Sequence, residues 1–173
     1  MRKPGLLLAL MMTTASLISA CGPAGSACPA IAQATAVAVT VTAGYSPRVA
    51  ALHLRACQDG TCTEADVILR PGSPSIGQGC SVEGACSATA SPDGTKVGTL
   101  MLPALTESPM TVTASGTAPD GSALPARSAA FHPAVGYPFG EQCGKVLSAA
   151  VILDDTGLNQ KPGAGTASRE TPG

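Results

Sequence analysis

The stretch ALHLRACQDGTCTEADV, residues 51–67, carries the reading of the whole chain. Leu52, Leu54 and Ala56 alternate with His53, Arg55 and Cys57. A period of two is the mark of a half-buried strand. After four residues the alternation resumes, with Thr63, Ala65, Val67 and Leu69 set against Glu64, Asp66 and Ile68. Between the two runs stands Gln58-Asp59-Gly60-Thr61, and Asp-Gly between alternating runs signals a hairpin. A three-residue loop would pair Cys57 with Thr61 and turn Cys62 to the other face. The alternation instead puts both cysteines on the outward face. A four-residue loop then makes them direct neighbours, which predicts a Cys57–Cys62 disulfide.

The same pattern extends in both directions. Val37, Val39 and Val41 alternate with Ala38, Thr40 and Thr42, and further strands are expected over 85–90, 96–102, 110–115, 124–131 and 145–153. No ten-residue amphipathic helical segment follows residue 20. Pro92-Asp93-Gly94-Thr95 and Pro119-Asp120-Gly121-Ser122 repeat the turn chemistry: proline presets φ, and glycine takes the left-handed position without steric cost. The expectation is a meander of hairpins. About eight short strands make an all-β, antiparallel, immunoglobulin-like β-sandwich over residues 31–157, stapled by disulfides. The Cys-Trp-Cys core of antibody domains is absent, since the chain has no Trp. Residues 71–84 and 131–144 read as loops, and the polar Gly/Pro-rich tail 158–173 as disordered.

The N-terminus reads differently. Arg2 and Lys3 precede an uncharged run from Leu6 to Ala20. About 15 residues are too few to cross a hydrocarbon core, which takes ~20 in a helix. A basic start, a short apolar run and small residues at its end read as an export signal over residues 1–20. The run closes on Ile18-Ser19-Ala20-Cys21, which resembles the lipobox of bacterial lipoproteins. The resemblance implies diacylglyceryl transfer to the Cys21 sulfur, cleavage before it and frequent N-acylation. An ordinary secretory signal with Cys21 left free is the alternative. Several acyl chains anchor stably where one is marginal. Residues 21–30 would be a lipidated tether, its extended reach at most ~30 Å. The rest of the chain resembles small Ala/Thr/Val-rich sandwich lipoproteins of actinobacterial type, on composition and the ACQDGTC hairpin.

Seven cysteines are an odd number for an exported chain. Lipid on Cys21 leaves six, hence three bridges in an oxidising compartment. Cys57–Cys62 would span the hairpin, Cys80–Cys86 would close a loop in the Gly-rich stretch, and Cys28–Cys143 would tie the first strand to the last. Zinc sites favour tighter cysteine pairs with a matching second pair.

Composition excludes several functions. Without its first twenty residues the chain keeps eight basic against eleven acidic residues, about −3 net. The clustered Lys/Arg of a nucleic-acid footprint is absent. Only Tyr45, Phe131, Tyr137 and Phe139 are aromatic, too few for a sugar-stacking face. Of two histidines, His53 reads as a solvated strand residue beside Arg55, and His132 as a loop residue before Pro133. Gly72-Ser73-Pro74-Ser75 lacks the form of a nucleophile elbow, and residues 77–84 lack the Gly-Lys-Ser/Thr of a phosphate loop. Asp154-Asp155 could join Glu141 around calcium but reads as a turn. Met101 and Met110 are too few for a copper-thioether site. No catalytic, cofactor-binding or metal-binding residue is expected.

The expected function is a non-enzymatic binding or scaffold module, lipid-anchored on the extracytoplasmic face of the cell membrane. Its contact surface would be Phe131, His132, Tyr137 and Phe139, and its partner an envelope protein or a small ligand. The alternative is an exported protease inhibitor, acting through the stapled loop 71–86, or a small envelope enzyme using His132.

Overall fold

A computed structural model describes residues 28–30, 34–81 and 83–162. The chain divides into two units, Met1–Ala30 and Ile31–Gly173. The export signal and Cys21 lie outside the described residues, as do residues 163–173 of the expected tail. Cys28 belongs to the first unit and is disulfide-bonded.

The second unit is all-β. Its strands are β1 (Ala36–Val41), β2 (Ala51–Gln58), β3 (Thr61–Val67), β4 (Arg70–Pro71), β5 (Ser75–Cys80), β6 (Cys86–Ala90), β7 (Lys96–Met101), β8 (Met110–Thr117), β9 (Ala123–Phe131), β10 (Ala134–Gly136), β11 (Val146–Leu153) and β12 (Leu158–Gln160). Two single 3-10 turns, Ser46–Arg48 and Glu141–Cys143, complete the order. One sheet runs β10-β11-β1-β7-β4, with β12 also on β11. The second runs β3-β2-β8-β9, and β5 and β6 form a third, two-stranded sheet. Every pair is antiparallel except β1 with β11.

The two larger sheets bury one face each against the other. Val37, Val39 and Val41 of β1 point in with Leu100 of β7 and Ala149, Val151 and Leu153 of β11. Leu52, Leu54 and Ala56 of β2 meet them with Met110, Val112 and Ala114 of β8. The expected alternation is therefore the sandwich core. Ala65 departs from it: β3 is an edge strand, and only Val67 among its residues is buried. Ser46, the one buried polar residue among the described residues, donates to the Gly94 carbonyl at 2.8 Å.

Turn chemistry fixes the hairpins. Asp59 and Gly60 both have positive φ, 50° and 78°, and Gln58 pairs with Thr61. This two-residue turn matches the twist of the flanking strands. Cys57 then faces Cys62 with Cα atoms 4.0 Å apart, and the disulfide forms. Asp120-Gly121 closes β8 onto β9 through a three-residue loop, with Ser122 O accepting from Ala118 N–H at 2.8 Å. Asp93-Gly94 does not close a hairpin. It carries the chain from β6 to β7, which lie in different sheets, so the meander expectation is corrected there. A register shift in β8 lies between Ala114 and Gly116. A side chain at Gly116 would set its Cβ 2.2 Å from the Ala51 carbonyl oxygen.

Three segments expected without strands contain them. Residues 75–80 pair with β6 as a hairpin that Cys80–Cys86 closes, Cα atoms 3.9 Å apart. Residues 134–136 pair with β11. The tail expectation fails at its start, since Leu158 is buried and residues 158–160 pair with β11. One apolar residue is enough to dock three.

Candidate contact surface after β9

β9 ends at Phe131, opposite Met110 of β8. Its inward position in the alternation leaves Phe131 only 8% exposed and part of the core. The expectation that Phe131 belongs to the contact surface is therefore corrected. It anchors the loop from beneath. His132 is exposed and Pro133 buried as the chain crosses to the other sheet and forms β10.

Beyond β10 the two remaining aromatics stand outward, Tyr137 at 49% exposure and Phe139 at 38%, with Val135 exposed beside them. The loop is held from several sides. Gly140 N–H donates to Tyr137 O at 3.0 Å, closing a turn. Gln142 Nε2 donates to Phe139 O at 3.1 Å. Cys143, in the 3-10 turn that follows, is disulfide-bonded.

Glu107, on the β7–β8 connection, fastens the loop twice. Its carbonyl oxygen lies 3.0 Å from His132 Nδ1. A carbonyl can only accept, so Nδ1 carries the proton and Nε2 is the free ring nitrogen. Its carboxylate pairs with Lys145 at the start of β11. That contact raises the Lys145 ammonium above its ordinary value, first through the hydrogen bond and then through the charge. The His132 carbonyl accepts from Gln160 Nε2 at 2.9 Å. The outcome is an apolar tip on a pinned stem, a rigid presentation that lowers the entropy cost of docking.

The other candidates fall elsewhere. His53 Nδ1 lies 2.9 Å from Asp66 Oδ1 on the outer face of the β3-β2-β8-β9 sheet. Register puts Ser115 next to His53 on β8, a juxtaposition of non-local strands that sequence reading missed. Acid, base and hydroxyl thus stand in a row, but His53 makes no hydrogen bond to Ser115 among the described residues. Asp154 is occupied by its own turn: Oδ1 accepts from Thr156 N–H at 2.8 Å, Thr156 Oγ1 at 2.6 Å and Gly157 N–H at 2.9 Å. These bonds hold its carboxyl below the usual range, the Thr156 hydroxyl most of all. Asp93 and Asp120 are lowered in the same way by Thr95 and Ser122. A groove of about 200 Å³ opens at the β2–β3 turn. Gln58 and Asp59 there clamp the connection 103–108 through Thr106 and Ser108.

No known protein family, curated protein or solved structure matches this chain.

Proposed function

We propose that this protein is a non-enzymatic binding module, held by lipid on Cys21 at the extracytoplasmic face of the cell membrane. Its contact surface is the loop after β9. The observation that supports this reading most is the concentration of apolar side chains there. Among the described residues, seven large hydrophobics are exposed, and three of them, Val135, Tyr137 and Phe139, fall within five positions. Aromatic residues on a pinned loop are efficient anchors, because they offer large area for few rotatable bonds. His132 flanks the tip and offers its free Nε2 to a partner. The bridge we assign to Cys28, from the count of cysteines, is with Cys143.

Two measurements test the reading. The intact mass of membrane-extracted protein, before and after thiol reduction, should show acyl mass on Cys21 and three bridges. Recovery with residues 1–20 intact and all seven thiols titratable would overturn the anchoring. Cross-linking on intact cells, followed by alanine at Tyr137 and Phe139, tests the surface. Captured partners should be lost from the double variant and retained when Ile76 is changed instead.

A further inference from the structure

Among the described residues, one edge of the larger sheet is covered only in part. β7 is paired along its whole length with β1, over residues 96–101. On its other side β4 pairs only with Lys96 and Val97. Among the described residues no strand pairs with 98–101 on that side. The alternation of an antiparallel ladder says which groups are left. Thr95 O accepts from Gly72 N–H at 2.8 Å, toward β4, and Leu102 N–H donates to Thr35 O at 2.9 Å, toward β1. Odd-numbered residues of β7 therefore face away from β1, and the N–H and C=O of Thr99 and Met101 point into the open side.

Three neighbouring edges of the two larger sheets are blunted in the usual ways. β3 carries Glu64 and Asp66, β9 carries Pro125 and Arg127, and β4 is two residues long and contains Pro71. Residues 97–101, Val-Gly-Thr-Leu-Met, carry no charge and no proline. Beside them lies a groove of about 420 Å³ lined by Asp66, Ile68, Arg70, Val97, Gly98 and Thr99. Ile68 is 76% exposed and Met101 58%.

We infer that this edge binds an extended peptide segment of a partner, which adds to β7 as a further strand. Unpaired backbone groups select an extended chain, and the flanking apolar residues select alternate side chains along it. Three observations choose the occupant. A second copy would meet the edge with the four residues 98–101, against the ~20–30 a side of a stable interface. The chain's own tail, residues 163–173, has no large apolar side chain to offer Ile68 or Met101. Charge indicates the rest. Asp66 is paired with His53, while Arg70 has no acidic partner among the described residues. An antiparallel strand would end beside Arg70, so the segment is apolar in alternation with an acidic residue at its C-terminal end. The site is separate from the loop after β9.

The probe is acetyl-Thr-Val-Thr-Val-Glu-amide, titrated into the full chain and followed by NMR and amide exchange. Without peptide, the Thr99 and Met101 amides should exchange fast while Gly98 and Leu100 are protected. Peptide should slow exchange at Thr99 and Met101. N-methylation of both valines should weaken binding at least about tenfold, as loss of two hydrogen bonds implies. Arg70→Glu should weaken the peptide and favour its version ending in Lys. Thr99→Pro should abolish binding, and its missing N–H is not one that β1 uses; the N-methylated peptide makes the same test without altering the protein. Equal binding of the N-methylated peptide, protection elsewhere or no binding would overturn the inference. Concentration-dependent protection without peptide would assign the edge to a second copy. Protection lost on shortening the chain to Pro162 would assign it to the tail. Either result overturns the peptide site.

Discussion

Two hairpins in this molecule carry the same staple in opposite surroundings. In β2–β3, Leu52, Leu54, Ala56 and Val67 are buried in the sandwich. In β5–β6 every described residue of both strands is exposed. Each has a disulfide across directly paired cysteines, Cys57–Cys62 and Cys80–Cys86. An isolated two-stranded hairpin is marginal in water. The first hairpin has a hydrophobic face to hold it, so its bridge adds to an existing structure. The second has none, so its bridge and ladder are the structure. A cross-link therefore means different things in the two places: global stability in one, local order in the other.

The largest break in that contrast should come from the core side. Leu54→Ala removes one of the largest fully buried side chains and should cost about 2–5 kcal/mol in urea unfolding. Ile76→Ala on β5 should stay within about 0.5 kcal/mol. If the two cost the same, the arm packs on the sandwich after all. Next comes the pair Cys57→Ser with Cys62→Ser. A loop this short predicts about 2 kcal/mol from chain entropy, with the β2–β3 amides still protected. Cys80→Ser with Cys86→Ser should leave the unfolding midpoint nearly unchanged, within about 0.5 kcal/mol. It should expose residues 75–90 to limited proteolysis and fast amide exchange. A large shift in the midpoint would contradict the division drawn here.

The smallest effect comes from the aspartate turns and is read by pH. Asp93, Asp120 and Asp154 have carboxyls held below 3.8 by hydroxyl and amide donors. A depressed carboxyl stabilises the fold above its unfolded value and loses that contribution as pH falls through the folded one. Stability should therefore hold from neutral pH down to about 4 and decline below. Asp120→Asn should flatten part of that decline. Lys145, raised above 10.5 by Glu107, runs the other way. Its contribution is complete below that value and disappears as pH climbs through the higher folded one.

The legible parts of the fold were those that side chains announce locally. Val37-Ala38-Val39 and Leu52-His53-Leu54 show their two faces in three residues, and Asp59-Gly60 states its own backbone angles. Cys57 and Cys62 follow from both. β5 was hidden because Gly77 and Gly79 have no side chain to alternate. β10 and β12 were hidden because three residues are too few to show a period. The Asp93-Gly94 turn looked like a hairpin because its chemistry is local, while the change of sheet between β6 and β7 is decided by distant partners. The candidate surface was found by composition alone, from the scarcity of aromatics. Phe131 was misplaced within it because a residue at a strand end can belong to either face, and pairing with Met110 decides it. The open side of β7 left no trace in the sequence, since vacancy at an edge depends on where β4 stops.

The parallel contact of β1 with β11 has a mechanical side. With the bridge of Cys28 reduced, a pull on the chain ahead of β1, resisted from beyond β12, first peels three residue pairs off β11 in succession. The force then reaches β1 and β11, five pairs aligned along the pull. Those bonds are loaded together in shear, and none can open before the others. The sandwich is thus built to yield last where its leading strand is held.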